Sequence, residues 1–282
     1  MIIAIASGKG GTGKTTVAVN LARAYENGIQ LLDCDVEEPN AHLFLAGRSA
    51  EEEAVTLPVP EFDEELCNSC GDCGRFCAYH AILAFLSKPV LISEMCHSCG
   101  GCALVCPRKA IREVEKRIGV IQQTDAGNIR LTTGSLDVGE AMSPPLIRAV
   151  RSRMHPDTPA IIDAPPGTSC PVIAAVRGAD FALLVTEPTP FGLHDLMLAV
   201  EMVRALGISF GVAVNRTGIG DERVHAYCRE QGIPILLEIP DDRRIAEAYS
   251  RGELLIEALP EYRPLFSQLA GDLLERNAVS DG

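Results

Sequence analysis

The sequence predicts an α/β fold with a doubly wound, mostly parallel sheet, interrupted by a small α+β insertion. Short apolar runs that end in acids or turn residues alternate with stretches of helical spacing, which implies a parallel sheet. Val, Ile, Leu, Ala and Gly dominate, with no tryptophan and 5% aromatics, a balance that suits strands buried between helices. A cysteine-dense stretch breaks the alternation between residues 67 and 106.

Taken in order, "IIAIA" (2–6) reads as a buried strand, "SGKGGTG" as a loop and "KTTVAVNLARAYEN" as a helix. "IQLLDCD" (29–35) reads as a second strand ending in acids. After residue 48 the pattern stops. The acidic, proline-bearing "AEEEAVTLPVPEFDEE" reads as a linker (51–59) into an insertion over 60–115. Residues 116–129 read as the returning linker, with short strands and turns, so the main domain comprises 1–50 and 130–282. "GEAMSPPLIRAVRSRM" then reads as mostly helix and "AIIDAPPG" (160–167) as a strand ending in an acid and a turn. "DFALLVTEPTP", "SFGVAVNR" and "IPILLEIP" read as strands, "FGLHDLMLAVEMVRALG", "DERVHAYCREQG" and "DRRIAEAYSRGE" as helices, and 261–275 as a last helix. Right-handed crossovers place the carboxyl ends of such strands along one edge, where ligands bind.

The totals exclude several classes. The 282 residues are 47% hydrophobic, enough for a sizeable core. The net charge is −13 with no lysine- or arginine-rich block, which argues against nucleic acid as a partner. No apolar run approaches the ~20 residues of a membrane span, the start lacks a basic leader, and the tail is no basic amphipathic anchor. A cytoplasmic protein without a membrane partner is expected. Eleven cysteines in such a chain favour metal over disulfides.

"GKGGTGKT", Gly8 to Thr15, satisfies G-x-x-x-x-G-K-[ST] between an apolar strand and a helix. Gly8, Gly10, Gly11 and Gly13 let the backbone curl its N–H groups toward phosphate, with Lys9, Thr12 and Thr16 in the same stretch. Lys14 reaches the terminal phosphates and Thr15 offers a hydroxyl to Mg²⁺. The following helix presents its positive end to the anion. ATP or ADP with Mg²⁺ is the expected cargo.

"KGGTGKTT" resembles the deviant Walker A motif of the MinD/ParA/Mrp branch of P-loop ATPases. The resemblance implies that Lys9 reaches across a nucleotide-sandwich dimer, formed with an identical or a related ATPase chain, to the partner's phosphates. "LLDCDVEEPN" resembles that family's switch I, which implies Asp33 at the magnesium shell and Asp35 orienting the attacking water. "IIDAPPG" resembles Walker B and switch II, with Asp163 on a magnesium-bound water and Gly167 near the γ-phosphate. "AVNRTG" resembles the base-recognition strand end, where Asn215 pairs with adenine and Arg216 flanks it. "EIPDDRRIAEAYSRGE" resembles the next adenine-side loop. The match spans roughly 1–48 and 130–275. This chemistry is mostly positioning and charge neutralisation, so few side chains carry it.

Cys67, Cys70, Cys73 and Cys77 recur, at identical steps, as Cys96, Cys99, Cys102 and Cys106. Each copy reads C-x2-C-x2-C-x3-C, whereas a zinc site usually holds two C-x2-C pairs apart. The run is that of bacterial ferredoxins, in which the fourth cysteine ligates the other cluster. Cys67, Cys70, Cys73 and Cys106 are therefore expected to hold one [4Fe–4S] cluster, and Cys96, Cys99, Cys102 and Cys77 the other. Gly71, Gly74, Gly100 and Gly101 are expected to permit close backbone approach. Pro107 fits the pattern, and Ala78 departs from it. The region resembles a two-cluster ferredoxin placed between switch I and switch II, and the whole chain resembles the ferredoxin-inserted members of the MinD family.

Among the remaining candidates, Cys170 reads as a small buried residue at a helix start, with a ligand at a dimer axis as the alternative, Cys34 as core and Cys228 as helical packing. His80 and His97 are not expected to be ligands, and His194 reads as a contact residue. The expected function is an ATPase whose opening and closing gates electron flow through two clusters to a redox partner, by analogy with the nitrogenase iron protein. The alternative is an ATP-dependent factor that builds or delivers an iron–sulfur or mixed-metal cofactor to a client.

Overall fold

The apolar runs become strands of one sheet because each is short, aliphatic and buried on both sides. In the computed structural model, which describes residues 1–49, 52–84 and 88–280, seven strands run parallel. Their order is Ile235–Pro240, Ser209–Thr217, Phe181–Thr186, Ile2–Ala6, Ala160–Asp163, Ile29–Asp33 and Ile129–Leu136. Ile111–Ala126 and the antiparallel Arg48–Ser49 continue that edge. The chain divides into two compact units. The first is Met1–Glu52, Ile121–Ser135 and Ile147–Gly282; the second is Glu53–Val120 with Leu136–Leu146.

In the first unit, Ile3, Ile5, Leu31, Ile161 and Leu183 share one core with Val17 and Leu21 of helix Lys14–Ala24. Phe266, Leu269 and Leu273 of helix Arg263–Ser280 close it. Burying each such side chain stabilises by roughly 1.5–3 kcal/mol. The alternate residues Ala4, Leu32, Ile162 and Leu184 are buried as well, as a parallel sheet covered on both faces requires. The register sets Asp33 beside Asp163 and Asp163 beside Ile5. The phosphate loop and two acids therefore meet at one sheet edge.

In the second unit, helices Asp72–Phe76 and Gly101–Val105 occupy matching places in the two copies of the cysteine run. A two-stranded ribbon pairs Ile82 with Leu91 and Leu83 with Val90. The small core is Cys73, Ile82 and Cys102, with Phe62, Cys77, Ala84, Leu91 and Ile111 packed on it.

The structure corrects the linker expectation. Glu53–Phe62, which takes in most of the segment 51–59, is a ten-residue strand paired with Ile111–Ala126, which itself covers most of 116–129; residue 51 lies outside the described residues. Pro58 and Pro60 argue against a central strand but are tolerated on a strand paired along one side. The first unit resumes at Ile121, ahead of the expected 130, and Leu136–Leu146 belongs to the second unit. The second strand stops at Asp33, short of the expected Asp35, and the helix read over 139–154 is Pro144–Arg151.

Candidate functional site

The phosphate loop connects strand Ile2–Ala6 to helix Lys14–Ala24, which starts at Gly13 in the left-handed region (φ 95°). Two of the loop glycines are tightly enclosed. A β-carbon on Gly8 would lie 2.1 Å from the Asp195 carbonyl oxygen, and one on Gly13 would lie 2.4 Å from Asn215 Nδ2. Gly8→Ala is therefore expected to destabilise the first unit by about 1–3 kcal/mol through overpacking against backbone, read as a lowered Tm in the nucleotide-free protein.

Lys14 is buried, and desolvation lowers its ammonium pKa against the pull of Asp163 and then Asp35. Thr15 Oγ1 donates to Asp163 Oδ2 at 2.6 Å. Asp163 Oδ1 and Thr12 Oγ1 are buried without a hydrogen-bond partner. Buried polar atoms rarely stay unpaired in the working state of a protein. A metal-bearing phosphate group would satisfy both, so the donor set fits Mg²⁺ and a nucleotide. Burial pushes Asp163 up to about 7, against the Thr15 hydrogen bond and Lys14. Burial also pushes Asp35 up to about 6, with Lys14 opposing.

These shifts fix the sign of a pH effect. A carboxylate whose folded pKa is raised holds its proton longer in the native state. Its stability contribution is present below the unfolded pKa near 3.8 and is lost as pH rises through about 6. Asp35→Asn cannot ionise, so its Tm advantage over wild type is expected to grow between about pH 4 and 7 without nucleotide. A flat difference across melts in that range would contradict this.

Asp33 also holds the turn that follows its strand. Its Oδ1 accepts from Asp35 N at 3.2 Å, and its Oδ2 accepts from Asn40 N at 3.0 Å and Ala41 N at 2.9 Å. The side chain is fully buried, and its pKa is raised by burial first and then by Asp163. It folds the segment 35–41 back on the strand end, and Asp163 keeps one oxygen without a hydrogen-bond partner. Gly167 N donates to Ser7 O at 3.0 Å, which ties the segment after Asp163 to the loop.

Asn215 reaches the loop from the far side: Nδ2 donates to Thr12 O at 2.8 Å and Oδ1 accepts from Arg216 N at 3.0 Å. The sequence reading missed Glu187. Its carboxylate, 10% exposed, lies 3.3 Å from Lys9 Nζ and 3.1 Å from Arg216 Nη1. A carboxylate at the buried end of strand Phe181–Thr186, on the ligand edge, was the available signal. Cys170 is exposed, which corrects the expectation of a buried residue. Cys34 and Cys228 are buried, and burial raises both thiols, Cys228 to about 11.

In the second unit the structure sorts the eight cysteines into two cavities. Cys67, Cys70, Cys73 and Cys106 line one. Cys77, Cys96, Cys99 and Cys102 line another. The halves repeat in detail: Cys73 and Cys102 are buried, while Cys70 and Cys99 are exposed. Ser69 and Ser98, Gly71 and Gly100, and His80 and Lys109 all take positive φ. Burial raises the Cys73 thiol, the Gly74 N–H lowers it, and Cys67 and Cys70 push it up. Cys102 feels the same influences from Ala103, Cys96 and Cys99. Gly71 and Gly100 do line the cavities. Gly74 and Gly101 are instead small because Ala84 Cβ and the Phe76 ring press on them, at 2.7 and 2.2 Å from an added β-carbon. His97 stacks on Tyr79 with ring centroids 3.5 Å apart. Among the described residues, no three His, Cys, Asp or Glu side chains converge as a single metal ion would need.

Comparison with known proteins agrees with the first unit's geometry. Two uncharacterized proteins of Methanocaldococcus jannaschii are similar to this chain. One is 31% identical over 268 residues, covering 91% of this chain and 92% of its own length. The other is 35% identical over 226 residues, covering 78% and 80%. An iron–sulfur cluster carrier protein of Pyrococcus horikoshii is 26% identical over 294 residues, covering 97% of this chain and 85% of itself. Among solved structures, the septum site-determining protein MinD of Pyrococcus horikoshii, complexed with Mg-ADP, shares the fold. Its TM-score is 0.61 and its identity 24%, over 96% of this chain and 95% of that one. The cell division ATPase MinD of Pyrococcus furiosus gives a TM-score of 0.62 at 24% identity, over 97% and 98%. No helix among the described residues is long and apolar enough to cross a membrane. Residues 3–256 match the CobQ/CobB/MinD/ParA nucleotide binding domain, and the chain belongs to that family of P-loop proteins.

Proposed function

We propose that this chain is a MinD/ParA-type ATPase that holds two [4Fe–4S] clusters in its second unit and uses ATP in handling iron–sulfur clusters for other proteins. The observation that carries it is the sorting of eight cysteines into two four-thiolate cavities on a chain that also carries a phosphate loop. A zinc site usually holds two C-x2-C pairs apart, whereas each run here is C-x2-C-x2-C-x3-C. A cube of iron and sulfide is wider and suits a lined cavity. Cys67, Cys70, Cys73 and Cys106 would hold one cluster, and Cys96, Cys99, Cys102 and Cys77 the other. When bound, the clusters supply one-electron chemistry or transferable iron and sulfide. Residues 60–115 are read as a ferredoxin-like insertion.

At the loop, residues Gly8 to Thr16 cradle the phosphates. Lys14 stabilises the charge that shifts to the leaving oxygen, and Thr15 and Asp163 would hold Mg²⁺, which would neutralise phosphate charge. Asp35, close enough to Lys14 to feel its charge, orients the attacking water. Asn215 and Arg216 face the base. Lys9 acts across a dimer of two such chains or of this chain and a related ATPase, and the client is a redox or cofactor-assembly protein in the cytoplasm.

Delivery, rather than electron transfer, is the reading that the relatives favour, since several 24–26% identical proteins are named iron–sulfur cluster carrier proteins. The exposed Cys70 and Cys99 give an acceptor thiol access. Electron transfer is the second reading, supported by the full set of four thiolates at each cavity, which favours retention. Incubating protein loaded with labelled iron with an apo-acceptor, with and without ATP, separates them. Delivery predicts ATP-dependent transfer of label. Complete retention, with cluster EPR signals that respond to ATP, favours electron transfer instead.

A further inference from the structure

We infer that Glu187 is a positioning residue that withholds Lys9 from the nucleotide phosphates until a triphosphate competes for it. The inference rests on the reading that the loop binds nucleotide.

The two lysines of the phosphate loop face different acids. Lys14 feels Asp163 and Asp35, whereas Lys9 Nζ pairs with Glu187 Oε2 at 3.3 Å. The other oxygen of Glu187 lies 3.1 Å from Arg216 Nη1. One carboxylate thus ties a cation from the phosphate loop to a cation from the end of strand Ser209–Thr217. Its backbone is held in place. Thr189 N donates to Glu187 O at 2.8 Å, Asp221 N donates to Pro188 O at 3.0 Å, and Thr186 Oγ1 donates to Gly192 O at 2.9 Å. The cations are more open to solvent, with Lys9 33% and Arg216 50% exposed against 10% for Glu187. Arg216 sits at φ 57°, a strained backbone for a non-glycine residue. Glu187 Oε1 is shut from solvent and takes no well-formed hydrogen bond. A fixed acid whose lysine partner is partly exposed is an arrangement that a more highly charged anion can break.

The competition has a readable consequence. Glu187→Gln keeps the shape and removes the charge. A partly exposed pair is worth up to about 1 kcal/mol, so binding of a slow ATP analogue should tighten about fivefold. ADP should gain less. A general field effect of the lost charge would tighten binding equally well without Lys9, and a double-mutant cycle separates the two. In a Lys9→Ala background, Glu187→Gln is expected to leave affinity unchanged. Glu187→Asp retains the charge but shortens the arm, and should behave like Glu187→Gln.

The experiment is calorimetric titration of the full chain and these variants with ADP and with a slow ATP analogue, with melting curves to verify folding. Unaltered affinity in Glu187→Gln, full tightening in the Lys9→Ala background, or wild-type affinity in Glu187→Asp would each overturn the inference. Absence of nucleotide binding by the wild-type chain would overturn the underlying reading as well, and is a distinct result.

Discussion

Cys106→Ser is expected to lower the iron of anaerobically purified protein from about eight to about four atoms per chain. Cys106 belongs to the second cysteine run, but it lines the cavity of Cys67, Cys70 and Cys73. Cys77, from the first run, lines the cavity of Cys96, Cys99 and Cys102. The C-x3-C step sends the last thiol of each run away from its own three. Pairs of substitutions test the crossing. Cys67→Ser with Cys106→Ser removes two ligands of one cavity and should leave about four iron atoms, with one EPR signal intact. Cys77→Ser with Cys106→Ser takes one ligand from each and should lose both signals. If each run closed on itself, the first pair would empty both sites. Protein that carries zinc in place of iron would overturn the cluster assignment.

Lys14→Ala is expected to lower ATP hydrolysis by about 100-fold or more, the scale for removing a group that stabilises transition-state charge. Lys14 is a buried cation that feels the charges of Asp163 and Asp35. Without it, two acids that burial already pushes up would face the phosphates with less opposing charge, so nucleotide affinity should fall too. The measurement is single-turnover hydrolysis with saturating Mg-ATP, together with iron content. Iron should be unchanged, because all eight cavity cysteines lie in the second unit and Lys14 in the first. Hydrolysis within a few-fold of wild type would remove Lys14 from its role.

Much of the phosphate site was legible because its motif is a local object. Glycine at the required steps, a preceding aliphatic strand and a following helix all sit within residues 2–24. The cysteine repeat was legible for the same reason: the positions that take positive φ recur in step with the cysteines because the chain makes the same turn twice. The strand Glu53–Phe62 was misread because acid and proline content imitate a linker. Its single-sided pairing, which excuses both prolines, depends on a strand that the chain forms only after both cysteine runs. The resemblance of "LLDCDVEEPN" to switch I places Asp33 near magnesium, but only the folded turn reveals that backbone N–H groups donate to both of its oxygens.

Two kinds of information separate here. Spacing along the chain is enough to specify the alternating strands and helices, the phosphate loop and the two thiol runs. Each is set by a short-range rule: a side-chain period of about 2 or 3.6, or the bite of a fixed loop. Packing is needed to settle which partner each charged or thiol group meets. Glu187 joins Lys9, near the start of the chain, to Arg216 on the following strand, and Asn215 reaches back to Thr12 from that same strand. Such pairs form because neighbouring parallel strands bring their carboxyl ends to one edge, and strand order follows from burial of the whole sheet rather than from any local pattern.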